Sequence, residues 1–413
     1  MPFSLEDALR ARADFPALAR QHNGQSVAFL DGPGGTQVPQ AVIDAITDGY
    51  TRCNVNAGGA FASSQEVGLE VDAARAAMAD FLGAESPACI AFGANMTSLN
   101  FALARAFSRR FKAGDEVLLT RLDHEANRGP WQTLAAHGVT VKEVGITAGG
   151  TLDMDDFYAK LTPRTRLVAV TLASNALGTV PAIAEIRALS RAVGALLVCD
   201  AVHFAAHLPV DVQALGCDFL VCSAYKFHGP HIGVLYSKPG LLDELETDRL
   251  RAQYSAAPYR IETGTPNHPA LMGVRAAVDY LAGWGKGDTR RARLTNTMQG
   301  LAVYEHGLAQ RYLAGLATLP GITVWGPGDV EPRAPTVSIT IDGVSALDAA
   351  TQLAARGIQV WHGHFYAMAV MESLHLAERG GLLRTGVSLY NTPAEIDRLL
   401  EGLAEITRAR QSS

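Results

Sequence analysis

Residues 219–236 read FLVCSAYKFHGPHIGVLY. Two short apolar runs, Phe219–Cys222 and Gly233–Tyr236, flank a polar turn that carries Ser223, Tyr225, Lys226 and His228. Unbroken apolar runs of this length read as strands covered on both faces. Working outward, similar runs occur at Leu196–Cys199, Leu167–Leu172, Val139–Val144, Glu116–Thr120, Cys89–Phe92 and Val27–Leu30. Helical patterns lie between them. In Glu66–Leu82 the apolar positions Val67, Val71, Ala74, Met78 and Phe81 step by three or four, and Gly83 supplies a stop. Alternation of this kind predicts an α/β fold with a large, mostly parallel sheet and helices on both sides. Beyond residue 290 the pattern changes to a long helix, Val337–Ile341, a helix, Ile358–Trp361, Leu382–Ser388 and a final helix. The reading is an N-terminal segment (1–24) packed with the small domain, a large domain (25–290) and a smaller C-terminal α+β domain (291–413).

Composition narrows the function. Of 413 residues, 48% are hydrophobic and 18% charged, enough for a large core and too apolar for a disordered chain. The formal charge is 35 − 41 = −6 without a basic run, which argues against nucleic acid as a main partner. One long uncharged stretch, Leu167–Ala184, contains Ser174, Asn175, Gly178 and Pro181, a strand and turn rather than a membrane span. No signal-peptide pattern opens the chain. Five cysteines (Cys53, Cys89, Cys199, Cys217 and Cys222) show no paired spacing. This fits a reducing compartment, and the expectation is a cytoplasmic enzyme.

In an open α/β sheet, ligands bind beyond the carboxyl ends of the strands. Gly93-Ala94-Asn95-Met96-Thr97 there opens a helix whose free amides suit an anion, with Asn95 and Thr97 as further donors. Asp123, His124 and Asn127 follow the next run. Ser174-Asn175, then Asp200 and His203, then Ser223, Tyr225 and Lys226 follow the others. Singly, each has a plainer reading: an acid or Asn95 as a helix cap, His124 as a surface histidine, Ser174-Asn175 as turn chemistry. Together, a phosphate cup, a planar ring, an acid and a lysine on one rim describe a pyridoxal phosphate site.

These residues carry a resemblance. The string SAYKFHGPHIGVLY (223–236) is similar to the cofactor-lysine segment of the class V aminotransferase and cysteine desulfurase family. So are LDHEAN (122–127), SNALGT (174–179), CDAVH (199–203), ETGTP (262–266), RTGVSLYNT (384–392) and FLDGPGGTQVPQAVIDAI (29–46), in family order from about residue 28 to 408. The closest likeness is to the cysteine-desulfurase-like branch. The resemblance implies the type I fold of pyridoxal-phosphate-dependent transferases and a homodimer with shared active sites.

The resemblance also implies roles. Lys226 would be the Schiff-base lysine and carry the Cα proton, and Asp200 would hold the ring nitrogen protonated. His124 would stack on the ring, and Asn175 and His203 would bond its hydroxyl side. Ala94 and Asn95 amides, Ser223 and Tyr225 would take the phosphate, joined by Thr265 from the neighbouring subunit. Arg384 would clamp the substrate α-carboxylate, with Asn175 and Tyr366 also on the substrate side.

One departure bears on the reaction. Desulfurases carry a mobile cysteine after a histidine-rich turn; here that stretch is VWHGHFYAM (360–368), and Tyr366 stands in its place. The last cysteine in the chain is Cys222. Milder departures are Tyr225 for a histidine, Asn95 for a threonine and Glu125 for a second histidine. The expectation is a lyase of the C–S or C–Se type working by β-elimination, with a class V aminotransferase or an amino-acid racemase or epimerase as alternatives. No metal site is expected: His203 and His207 lie four apart, but Phe204 stands where a metalloprotease would have glutamate. No GxSxG elbow is present. A degenerate scaffold protein would be expected to lose Lys226, Asp200 or Arg384, and all three are retained.

Overall fold

A computed structural model describes residues 3–329 and 332–411. Fifteen strands are found among the described residues: β1 (Gln21–His22), β2 (Gln25–Ser26), β3 (Ala28–Phe29), β4 (Ile90–Gly93), β5 (Glu116–Thr120), β6 (Thr140–Val144), β7 (Thr165–Thr171), β8 (Leu196–Asp200), β9 (Phe219–Ser223), β10 (Gly233–Ser237), β11 (Ile322–Trp325), β12 (Thr336–Ile341), β13 (Ile358–Gln359), β14 (Trp361–Gly363) and β15 (Leu382–Gly386). Strands β4, β10, β9, β8, β7, β5 and β6 form the large sheet in that order. Its ladders are parallel except for those of β10.

The unbroken apolar runs are explained by burial on both faces. In β7, Val168 and Val170 enter one core while Leu167 and Ala169 enter the other, and β5 divides Leu118 from Val117 and Leu119 in the same way. A period of two with both faces covered leaves no polar position inside the strand. The helix expected from Glu66 starts earlier, at Ala62, and ends at Leu82, where Gly83 takes a left-handed φ of 70°.

The C-terminal part contains a four-stranded antiparallel sheet in the order β11-β12-β15-β14. Its own core, including Leu308, Ile339, Leu353, Leu383 and Leu399, also buries residues of the helices Arg290–Leu316, Ala346–Ala354 and Pro393–Gln411.

Two strand readings need correction. Val27–Leu30 does not join the large sheet: only Ala28–Phe29 is strand, paired in parallel with β13. Ile358–Trp361 is not one strand, because the chain leaves β3 after Gln359 and starts β14 on β15 at Trp361. A four-residue run serving two sheets cannot keep one ladder. The segment before residue 25 touches both parts of the molecule. Arg12 donates to Glu395 and to the Tyr390 carbonyl, while Tyr280 donates to Asp14.

Candidate active site

The carboxyl ends of β4, β5, β7, β8 and β9 open on one rim, and a cavity of about 750 Å³ lies over it. Its wall includes Asn95, His124, Asn175, Asp200, His203, Ser223, Tyr225, Lys226, Tyr366 and Arg384. Ten of the twelve residues named from sequence are therefore brought together. Ala94 is exposed and off the lining, although its loop forms part of the wall. Thr265 is exposed and outside this chain's cavity, in a segment anchored by the buried Arg75–Glu262 pair at 2.6 Å.

The loop after β4 is pressed onto the sheet. A Cβ on Gly233 would lie 2.2 Å from the Asn95 carbonyl carbon, so only glycine permits the crossing. Asn95 uses its side chain to cap the helix Met96–Ser108, accepting from Ser98 N at 2.9 Å. Ser223 Oγ accepts from Met96 N at 3.2 Å, which ties the end of β9 to the same helix start. The side chain of Asn95 is thus structural here, and the expectation for this position narrows to its backbone amide.

Lys226 follows β9 in a single 3-10 turn, and its Nζ donates to the Pro33 carbonyl. Burial, then the nearby Arg384, pushes its ammonium down to about 7; Asp200 and Asp31 oppose the shift. Asp200 ends β8 and accepts from Val202 N at 2.8 Å, and burial raises its carboxyl to about 6. His124 is held down at about 4, first by burial and then by Lys226 and Arg384, so its ring is neutral at ordinary pH. Its Nδ1 accepts from Ala126 N at 3.0 Å. His203 lies well below its usual range for the same first reason.

The turn after β14 closes the cavity opposite the rim. Phe365 and Tyr366 both adopt φ 55°, rare for residues with side chains. Asn175 Nδ2 donates to the Phe365 carbonyl at 2.9 Å and Glu125 N to the Tyr366 carbonyl at 2.7 Å. The Tyr366 ring stacks on His124 at 5.6 Å between centroids. Arg384, on β15, lies 4.1 Å over the Phe365 ring and donates from Nη1 to the Asn175 carbonyl at 2.9 Å. Asn175 was expected to bond the ring hydroxyl side and to face the substrate; in the structure its Nδ2 donates to the turn.

Sequence reasoning missed Pro33, Asp31 and Thr336. Burial raises Asp31 to about 6 against the pull of Arg384 and Lys226, and the FLDGPGG segment held the only hint of it. Thr336 bonds His203 from β12. His207 meets the His203 ring edge-on at 4.9 Å, and its Nδ1 lies 2.8 Å from Glu305.

Three buried polar atoms on the wall have no partner: Asn175 Oδ1, His203 Nδ1 and Arg384 Nε. Orphaned polar atoms are costly unless a ligand satisfies them. With a lysine close to neutrality, a buried carboxylate and a neutral histidine ring on the same wall, the donor set fits pyridoxal phosphate. No helix among the described residues is long and apolar enough to cross a membrane.

Comparison with known proteins agrees. The family model for class V aminotransferases matches residues 28–399. A cysteine desulfurase of Yersinia pseudotuberculosis serotype O:1b is 36% identical over 427 aligned residues, covering 99% of each chain. The structure of an apo cysteine desulfurase from Thermococcus onnurineus superposes with a TM-score of 0.86 at 29% identity, covering 97% of this chain and 98% of that one. The Escherichia coli cysteine desulfurase CsdA gives 0.84 at 27% identity, with 98% of each covered. The chain belongs to the class V aminotransferase family, as a cysteine-desulfurase-like enzyme dependent on pyridoxal 5'-phosphate.

Proposed function

We propose that this enzyme eliminates the β-substituent of an α-amino acid, as a C–S or C–Se lyase, and does not pass sulfur to a cysteine of its own. One observation carries the reading: Tyr366 occupies the turn over the cavity, while all five cysteines are buried and none lines it. A phenol has neither the nucleophilicity nor the bond chemistry of a thiolate. Burial also pushes the thiols of Cys53, Cys89 and Cys222 up, away from the reactive form.

When bound, pyridoxal phosphate supplies an aldehyde that condenses with amines and a ring that delocalises the electrons of a broken Cα bond. Lys226, with an ammonium near 7, would hold it covalently and afterwards take up the Cα proton. Asp200 would keep a proton on the ring nitrogen, and His124 would cover one ring face. His203 Nδ1 is the free polar atom that could donate to the ring oxygen, while Asn175 Oδ1, an acceptor, is free only for a donor hydrogen on the ligand, such as that of the ring hydroxyl. The backbone amides of Ala94 and Asn95, Ser223 and Tyr225 would take the phosphate, with Thr265 of a second copy in a homodimer. Arg384 would orient the substrate by its α-carboxylate. Unpaired buried thiols also suit a reducing, cytoplasmic setting.

Transamination and racemisation share proton removal at Cα, so products decide. Purified holoenzyme is incubated with a panel of β-substituted amino acids, with and without an α-keto acid. Pyruvate and ammonia without an acceptor are expected. Turnover only with an acceptor would make it an aminotransferase, and an inverted Cα without elimination a racemase.

A further inference from the structure

We infer that Thr336, on β12 of the C-terminal sheet, is a positioning residue that fixes the His203 ring so that Nδ1 is presented to the bound cofactor as a donor. His203 is 3% exposed and Thr336 fully buried. His203 Nε2 lies 2.8 Å from Thr336 Oγ1, while its Nδ1 is buried with no partner. A neutral imidazole carries one N–H, and which nitrogen bears it is set by the bond the other nitrogen makes. Donation from the threonine hydroxyl to Nε2 would keep the proton on Nδ1, the nitrogen left unpaired.

The surroundings hold the ring neutral. Its charged and titratable neighbours are His207, Lys226 and Arg384, all of which oppose protonation in addition to burial. His207 meets the ring edge-on at 4.9 Å and is itself bonded to buried Glu305 on the helix Arg290–Leu316. A charged His203 would donate from both nitrogens, with Thr336 Oγ1 accepting from Nε2; a neutral one needs its tautomer chosen. The choice is made across the seam between the two parts of the chain, 133 residues away in sequence. The inference rests on cofactor binding, not on which reaction follows.

The test is made on the holoenzyme with three readouts: the Kd for pyridoxal phosphate, the position of the visible band, and the pH midpoint of that band. Thr336→Val keeps the β-branched shape and removes the hydroxyl. It should weaken cofactor binding about tenfold, as loss of one net hydrogen bond of about 1 kcal/mol or slightly more would do, and move the band's midpoint to higher pH. Thr336→Ser, which keeps the hydroxyl, should restore both. In a His203→Ala background, Thr336→Val should add nothing, because the two act as one unit. A Thr336→Val protein with wild-type band and affinity would overturn the inference. So would a Ser variant no better than Val, or a full extra loss in the His203→Ala background, which would make Thr336 merely structural.

Discussion

The rim of the large sheet and the turn at residues 361–366 face each other across one cavity, but they are built differently. On the rim, Asp200 ends a strand and Lys226 follows one within a single turn. Parallel ladders such as Thr171↔Asp200 set their positions, and buried apolar faces on both sides lock the register. The turn has no such ladder at its tip. Two left-handed residues are held there by single bonds from Asn175 and Glu125 and by rings laid on His124 and under Arg384. Rim groups should therefore matter through their chemistry, and turn residues through their packing.

The severest break on the rim side is Lys226→Ala, which removes the residue proposed as covalent anchor and proton carrier. Turnover should fall about 10⁴-fold, the upper range for a positioned acid–base group, while some cofactor stays bound. Borohydride reduction of the wild-type holoenzyme should place the label on Lys226; label elsewhere would refute the assignment. Next is Arg384→Ala, expected to cost roughly 10²–10³ in kcat/KM for amino acids, as truncating one partner of a buried charged pair does. Turnover of an amine lacking the carboxylate should barely change, and equal losses on both would make Arg384 structural.

A pH measurement probes the rim more gently. Lys226 attacks an aldehyde only as the neutral amine, so the rate of cofactor capture by apoenzyme should rise with pH through about 7 and then level off. Asp31 pulls that midpoint upward by favouring the ammonium, so Asp31→Asn should lower it. An unchanged or raised midpoint would mean that Asp31 does not act on the lysine. The smallest effect belongs to the turn. Tyr366→Phe keeps the ring on His124 and should stay within about twofold in kcat, whereas Tyr366→Ala exposes His124 and should cost more, in keeping with an aromatic pair of about 0.5–1.5 kcal/mol. A large loss in the Phe variant would put the hydroxyl into the chemistry.

The same contrast governs what the sequence reveals. Asp200, Ser223 and Lys226 are legible because polar residues beyond apolar strands can only lie at a strand end. Arg384 was reached only through the family motif, since a buried arginine inside β15 has no local signature. Thr336 left no trace, and Pro33 stood within the FLDGPGG motif without a role: they meet His203 and Lys226 across 133 and 193 residues, and a strand threonine or a backbone carbonyl looks ordinary in its own neighbourhood. The Val27–Leu30 run was misplaced for a similar reason. Its apolar residues are buried as expected, but pattern records burial and not the partner strand.

The five buried cysteines have a practical consequence. A folded protein whose native thiols are all enclosed gives a dark background to alkylating dyes, so one surface thiol introduced by mutation becomes a lone reporter. Position 366 is suited to it, being 66% exposed and directly above the ring of His124. Tyr366→Cys would carry a fluorophore onto the lip of the cavity and report its opening and closing in solution. Left unlabelled, the same variant would ask whether a single sulfur atom at that lip can take up sulfur from a substrate.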